Sequence, residues 1–162
     1  MYEHFGNKLS NDTVVHVWKE KSTMTNVILD GYRTILSDQD VWYLDHLTVP
    51  WESFYLNEPT EGLPTQANPN LILGGEACMW GETVDPSDID NTIWPRAAAF
   101  AERMWTSKET IDTFSMTQVE ERLEYFRCSV LTERSVAAAP VKNLQARQAP
   151  PKPGSCYVQR RN

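Results

Sequence analysis

No stretch of this 162-residue chain approaches 18 consecutive apolar positions, so nothing in it reads as a membrane-spanning helix. The first ten residues, MYEHFGNKLS, have neither a basic start nor an apolar core, and no signal peptide is expected there. Cations are in the minority. Fifteen lysines and arginines (15) stand against 22 aspartates and glutamates, for a formal net charge of −7. Neither sign is gathered into blocks, and without clustered lysine and arginine a nucleic-acid surface is excluded. No internal repeat is visible. Cysteine is scarce at 3 residues, and the odd count leaves at least one thiol free. On these grounds alone the chain reads as a cytosolic, folded protein, 41% apolar with 6 tryptophans and long enough to bury a core as one domain.

The most informative stretch is 71–105, LILGGEACMWGETVDPSDIDNTIWPRAAAFAERMW. Leu71, Ile72 and Leu73 run without polar interruption into Gly74 and Gly75, after which Glu76, Cys78, Trp80 and Glu82 occupy alternate positions. A buried strand running out into a site is expected, its glycines giving close backbone approach or an irregular exit. In extended chain the two carboxylates and the indole share one face. That pairing suits a sugar, whose apolar ring face stacks on an indole while a carboxylate accepts hydrogen bonds from its hydroxyls. The same pattern also describes a core strand with an incidental surface tryptophan. Downstream, Asp90 or Asn91 can cap a helix that Pro95 enters near its first turn and that Ala97, Ala98, Ala99 and Ala101 favour.

Before this unit, residues 1–12 have no apolar period and are expected to be irregular; Asn11-Asp12-Thr13 is an N-glycosylation sequon, with Asn11 the acceptor. Residues 13–18 are β-branched and short, a strand of buried type ending in Trp18, which either packs or lines a pocket. A short helix from Ser22 or Thr23 to Asp30 would bury Met24, Val27 and Ile28, with Gly31 as its cap, before a second strand over 32–37. In residues 41–46, the Tyr43 phenol can donate to a carbonyl oxygen and Asp45 can accept from hydroxyls; both types are also commonplace in loops. One or two helical turns over 51–56 and a long, proline-containing connection over 57–70 follow. Ser115 or Thr117 would cap a last helix in which Val119, Leu123, Phe126, Val130 and Leu131 recur. Residues 141–154 hold four prolines with Pro140 and little apolar content, an extended tail before Cys156. Cys128 and Cys156 either pair or stay free, as far as spacing tells.

GGEACMWGE followed by WPRAAAFAERMW closely resembles the end of the catalytic barrel of the β-N-acetylhexosaminidases, glycoside hydrolase family 20, of the lysosomal α/β-subunit type. Glu3 and Phe5 resemble a remnant of its W-x-E-x-F turn, and WYLD over 42–45 matches another of its motifs. The resemblance implies an α/β fold: the C-terminal portion, about strands 6–8 with their helices, of a TIM (β/α)8 barrel, incomplete as a domain. Residues 1–139 would belong to the barrel and 140–162 would be a tail stapled by a Cys128–Cys156 disulfide, which presumes an oxidising compartment. The inward side chains Val15, Ile35 and Ile72 would then lack partners. Trp18 and Trp80 would wall the pocket, Tyr43 would bond the acetamido oxygen, and Asp45 and Glu82 would take hydroxyls. The family's catalytic Asp-Glu pair lies on the fourth strand, upstream of this chain, which contains no Asp-Glu dipeptide, so no catalytic residue is expected here.

For the complete protein the resemblance implies retaining, substrate-assisted hydrolysis of terminal N-acetylglucosamine or N-acetylgalactosamine, without metal or organic cofactor. Its partners would be N-acetylhexosamine-terminated glycans, its assembly a homo- or heterodimer and its place lysosomal or secreted. Family subunits carry Asn-Arg or Asp-Leu after WYL, and this chain carries Asp45-His46. The alternative is a non-catalytic carbohydrate-binding or structural fragment from a truncated or split gene.

Overall fold

The structure, a computed structural model, describes residues 2–5, 8–142 and 156. A single helical turn, α1 (Tyr2–Phe5), stands where the sequence led us to expect irregular chain; Tyr2 Oη donates to Asp30 Oδ2 at 2.7 Å, which anchors it. Next come β1 (Val14–Val17), α2 (Lys21–Leu29) and β2 (Arg33–Leu36), a β/α/β unit whose strands pair in parallel with Val14 opposite Arg33 and Val17 opposite Leu36. Helix α2 buries Met24, Val27 and Ile28 as expected and ends at Asp30, with Gly31 at a φ of 85° that suits glycine. After α3 (Trp51–Leu56) and a 3-10 turn at Pro69–Leu71, β3 (Ile72–Gly75) completes a parallel sheet of order β1-β2-β3. The sheet is thus a run of parallel strands with helical crossovers, the arrangement that wide α/β folds repeat.

β3 departs from a plain buried strand. Thr34 pairs with Ile72 but Ile35 pairs with Gly74, so Leu73 is an extra residue in the ladder, and Gly74 carries the positive φ of 149° at that irregularity. Leu73 is 53% exposed, because β3 is an edge strand and its bulge turns this side chain outward. Gly75 makes the close approach: a Cβ there would lie 2.8 Å from both Met104 Sδ and Trp42 Cζ3.

The sheet has one covered and one open face. Val15, Val17, Thr34 and Leu36 are buried with α2, and Thr34 Oγ1 satisfies itself on the Val15 carbonyl at 2.9 Å. Val14, His16 and Trp18 alternate with them and are exposed. Val15, and Ile72 opposite Thr34, therefore belong to the helix-covered face and not to the open one, a correction to the expected inward set; Ile35 and Ile72 are half-buried. The expected helix over the proline also divides. α4 (Ile89–Ile93) stops before Trp94, which is extended, and α5 (Arg96–Trp105) begins after Pro95 across a cis Trp94–Pro95 peptide. A residue preceding proline is pushed out of the helical region, which separates the two segments. Asp88, not Asp90 or Asn91, is the residue ahead of α4.

α3 and α5 pack together, with Trp42 buried beneath them edge-on to Phe100 at 5.1 Å between ring centroids. After the short α6 (Lys108–Ile111), α7 (Met116–Glu133) is started by a capping box of Ser115 and Gln118 and seats Val119 and Leu123 in the core. The Cys128–Cys156 disulfide is formed, with its Cα atoms 5.1 Å apart, while Cys78 is free. By the chain-entropy account, closing a loop with a sequence separation of 28 contributes about 3–4 kcal/mol. Of the expected tail over 140–162, all but 140–142 and Cys156 lies outside the described residues. No described helix is long and apolar enough to cross a membrane.

Both outer strands present unpaired main-chain edges, and Val14 and Leu73 are exposed on them. The 162-residue chain produced alone is therefore expected to self-associate and to unfold without a sharp transition. Calorimetry with light scattering checks this; a cooperative transition of a monomer is the contrary result.

Candidate functional site

The carboxyl ends of the three strands lead into the segments that carry the sequence-derived candidates. Beyond β2, Asp38 shapes the turn: it is buried, its Oδ1 accepts from the Asp40 amide at 3.1 Å, its Oδ2 from Asn57 Nδ2 at 3.0 Å, and its carbonyl from the Trp42 amide at 2.7 Å. Beyond β3, the Glu76 amide donates to the Leu36 carbonyl at 2.9 Å and the Cys78 amide to that of Trp42 at 3.0 Å. The Leu44 amide returns to Cys78 at 2.7 Å, so 42–44 and 76–78 run side by side as a parallel bridge centred on Tyr43 and Cys78. The ladder that makes the sheet thus extends into the site, and it places Tyr43 and Trp80 together from segments far apart in sequence.

Tyr43 sits beside the Cys78 thiol, the Trp80 indole and the Asp45 carboxylate, and its ring lies 5.8 Å from that of His46. Burial first, then the neighbouring Cys78 sulfur, pushes the Tyr43 phenol above its ordinary range; hydrogen bonding with Trp80 pulls back, and Asp45 adds a further upward push. The group keeps its proton and remains a donor at neutral pH. Asp45 Oδ1 is buried without a hydrogen-bond partner among the described residues. Leaving a buried carboxylate oxygen unpaired is unfavourable by several kcal/mol, on the order of 1–3 or more, and a ligand hydroxyl would relieve it. Trp80 is 53% exposed, an indole surface open to stacking.

The other candidates are placed differently. Trp18 directly follows β1 and is 45% exposed; Lys19 Nζ stands 5.1 Å from its ring centroid, and it lines a cleft with Tyr2 and Val14. Glu82 lies beyond Gly81, exposed, with no hydrogen bond or ion pair among the described residues. The expected common face of Glu76, Cys78, Trp80 and Glu82 is divided accordingly. Cys78 and Trp80 lie against Tyr43, whereas Glu76 Oε2 is 3.5 Å from His16 Nε2, which also meets Ser37 Oγ at 2.7 Å on the open face of the sheet. Asn11, the sequon residue, is exposed. No group of three or more His, Cys, Asp or Glu among the described residues could hold a metal ion.

Sequence reasoning missed Arg96. At the start of α5, it donates from Nη1 to the carbonyls of His46 at 2.9 Å and Val49 at 3.3 Å and from Nη2 to that of Leu44, spanning some 50 positions in sequence. Its only signal was an arginine directly after a proline in an alanine-rich helix, which says nothing of the loop it reaches.

A parallel β/α sheet that gathers tryptophan, tyrosine and carboxylate at the carboxyl ends of its strands has the layout in which α/β barrels build their sites. The sequence profile of the glycosyl hydrolase family 20 catalytic domain matches residues 1–108, and the chain belongs to that family. Beta-hexosaminidase 1 of Arabidopsis thaliana is 47% identical over 159 residues, which are 98% of this chain and 29% of that protein. The human beta-hexosaminidase subunit beta is 39% identical over 139 residues, 83% of this chain and 24% of its own length. Among solved structures, the family 20 exo-β-N-acetylglucosaminidase of Vibrio harveyi, in complex with N-acetylglucosamine, superposes with a TM-score of 0.72 at 27% identity, over 88% of this chain and 24% of that one. The chain therefore spans less than a third of the relatives it matches, and its sheet is a partial piece of their TIM barrels.

Ultraviolet difference titration of the protein against Tyr43→Phe should place the additional phenolate above the ordinary tyrosine value of about 10, since a raised pKa delays proton loss as pH rises. A phenolate appearing below that value would contradict the assigned surroundings.

Proposed function

We propose that the protein containing this chain is a β-N-acetylhexosaminidase that removes terminal non-reducing N-acetylglucosamine or N-acetylgalactosamine from glycoconjugates. The observation that carries the reading is the convergence of Tyr43, Asp45 and Trp80, with an unpartnered Asp45 oxygen, in a chain similar over nearly its whole length to beta-hexosaminidases. In this reading the chain supplies strands 6–8 of the barrel over 1–139 and a disulfide-stapled tail over 140–162. Tyr43 donates to the acetamido oxygen, Asp45 and Glu82 accept from hydroxyls, and Trp18 and Trp80 form the walls. Catalysis is substrate-assisted. The acetamido oxygen displaces the leaving group from the anomeric carbon with inversion, giving a cyclic oxazolinium ion that water opens with a second inversion, so that configuration is retained overall. An aspartate orients the acetamide, and the adjacent glutamate protonates the leaving oxygen and then takes the proton of the attacking water; both carboxylates come from a segment upstream of this one. A lysosomal or secreted location accords with the Cys128–Cys156 disulfide, which needs an oxidising compartment, and the assembly proposed is a homo- or heterodimer.

A chromogenic N-acetyl-β-glucosaminide tests this in the complete protein. Turnover is expected there and absent from the 162-residue chain alone, because general acid assistance is worth roughly 10²–10⁴-fold and orientation is lost besides. Tyr43→Phe should lower kcat/KM by about tenfold, one hydrogen bond's worth near 1 kcal/mol or slightly more. A complete protein that binds N-acetylglucosamine without turnover would instead indicate a carbohydrate-binding protein.

Asp45-His46 bears on selectivity. A carboxylate facing the sugar's 6-position repels a sulfate by roughly 1–4 kcal/mol at contact distance, depending on exposure. Neutral substrate is therefore expected to be preferred over the 6-sulfated form near neutral pH, and Asp45→Asn should narrow the ratio of specificity constants. An unchanged ratio would remove Asp45 from that position.

A further inference from the structure

Three main-chain carbonyls of the turn after Tyr43, those of Leu44, His46 and Val49, converge on one side chain, the half-buried Arg96. The same guanidinium donates from Nε and Nη2 to the Thr92 carbonyl at 3.1 and 2.7 Å, so the turn is tied to the end of α4. Its Cζ lies 5.4 Å from the Phe54 ring centroid, which fixes the plane of the fork from the α3 side. Among the described residues Arg96 makes no ion pair, and burial lowers its pKa while the field of Asp45 opposes that shift. A cation whose hydrogen bonds all go to carbonyls is serving geometry. Several donors in one rigid plane are what arginine has and lysine lacks.

We propose that Arg96 is a positioning residue for the sugar site: by gathering the carbonyls of Leu44, His46 and Val49 it sets the turn that presents Tyr43 and Asp45, leaving Asp45 Oδ1 free for a substrate hydroxyl. Asp45 lies between two of the clamped carbonyls, and its Oδ1 is buried without a partner. Arg96 itself touches no substrate. The inference rests on the assignment of Tyr43 and Asp45 to substrate given under Proposed function.

The test is a double-mutant cycle in the complete protein, with Arg96→Lys, Asp45→Asn and the pair, read as kcat and KM for a chromogenic N-acetyl-β-glucosaminide alongside thermal unfolding. Arg96→Lys is expected to lower kcat/KM by ~10–100-fold, the scale of a displacement near 1 Å in a substrate-holding group. In the pair, the loss should fall well short of the product of the two single losses, because Arg96 acts through the turn that carries Asp45. Multiplying losses, or an Arg96→Lys variant of unchanged kcat/KM, would reduce Arg96 to a stabilising contact and overturn the inference while leaving the site assignment intact. Should Arg96→Lys fail to fold, Arg96→Gln, which keeps a planar amide donor, enters the same cycle under the same criteria. If Asp45→Asn alone has no effect on turnover or binding, the site assignment fails and the inference falls with it.

Discussion

The whole arrangement depends on how closely the end of β3 lies against Trp42. Gly75 has room for a hydrogen only, with Trp42 Cζ3 and Met104 Sδ each 2.8 Å from where a Cβ would stand and the Leu36 oxygen at 3.2 Å. Those neighbours are a fully buried indole, a methionine of α5 and the main chain of β2, and the backbone among them cannot give way cheaply. Because the contact is so tight, Trp42 can receive the Cys78 amide on its carbonyl while its own Nε1 donates to the Phe54 carbonyl at 3.3 Å. The indole thus joins strand end, loop and helix α3 in one place.

Around that contact, long loops have to satisfy their main-chain polar groups without regular structure, and buried polar side chains do the work. Asp38 closes the turn after β2 and holds Asn57. Arg103, buried in α5, donates from Nε to the Tyr55 carbonyl at 2.6 Å and pairs with Glu58 at 3.0 Å, which fixes the exit of α3. Losing one partner of such a buried pair leaves an uncompensated charge and is destabilising by about 3–5 kcal/mol. Helix α5 therefore carries two arginines seven positions apart, each fixing a different part of the loop system.

Elements whose signal is local were legible in the sequence. β1, β2, α2 with its Gly31 stop and α7 with its Ser115 cap all follow from short-range periodicity and capping chemistry. Trp80 beside carboxylates suits a sugar by residue type, whereas the roles expected of Tyr43 and Asp45 follow from the resemblance at WYLD, and the proximity of Tyr43 to Trp80 follows from a ladder that only the fold reveals. Long-range features were not legible. Which strand face α2 covers cannot be read from Thr13 to Val17, since nearly every position is β-branched, and so the side on which Val15 lies is not legible there. Pro95 signals the division of α4 from α5, but a proline is equally at home in a helix's first turn and Ala97–Ala99 favour one continuous helix, so the sequence does not separate the two cases. Arg96 left no trace, for nothing in a linear pattern shows that a cation will be spent on carbonyls 50 residues earlier.

The staple at Cys156 has a mechanical side. Cys128 belongs to α7, whose Val119 and Leu123 are packed in the core and which contacts α5; Arg127 donates to the Ala138 carbonyl at 3.2 Å and meets Cys156 Sγ at 3.3 Å. A pull on Cys156 is therefore taken up by a covalent bond to a long amphipathic helix and spread along its side, in shear, into the helical layer rather than into the sheet. Attachment to a solid support through this end would load the outer layer and leave the hydrogen-bonded strands, with the indole and phenol beyond them, out of the line of force.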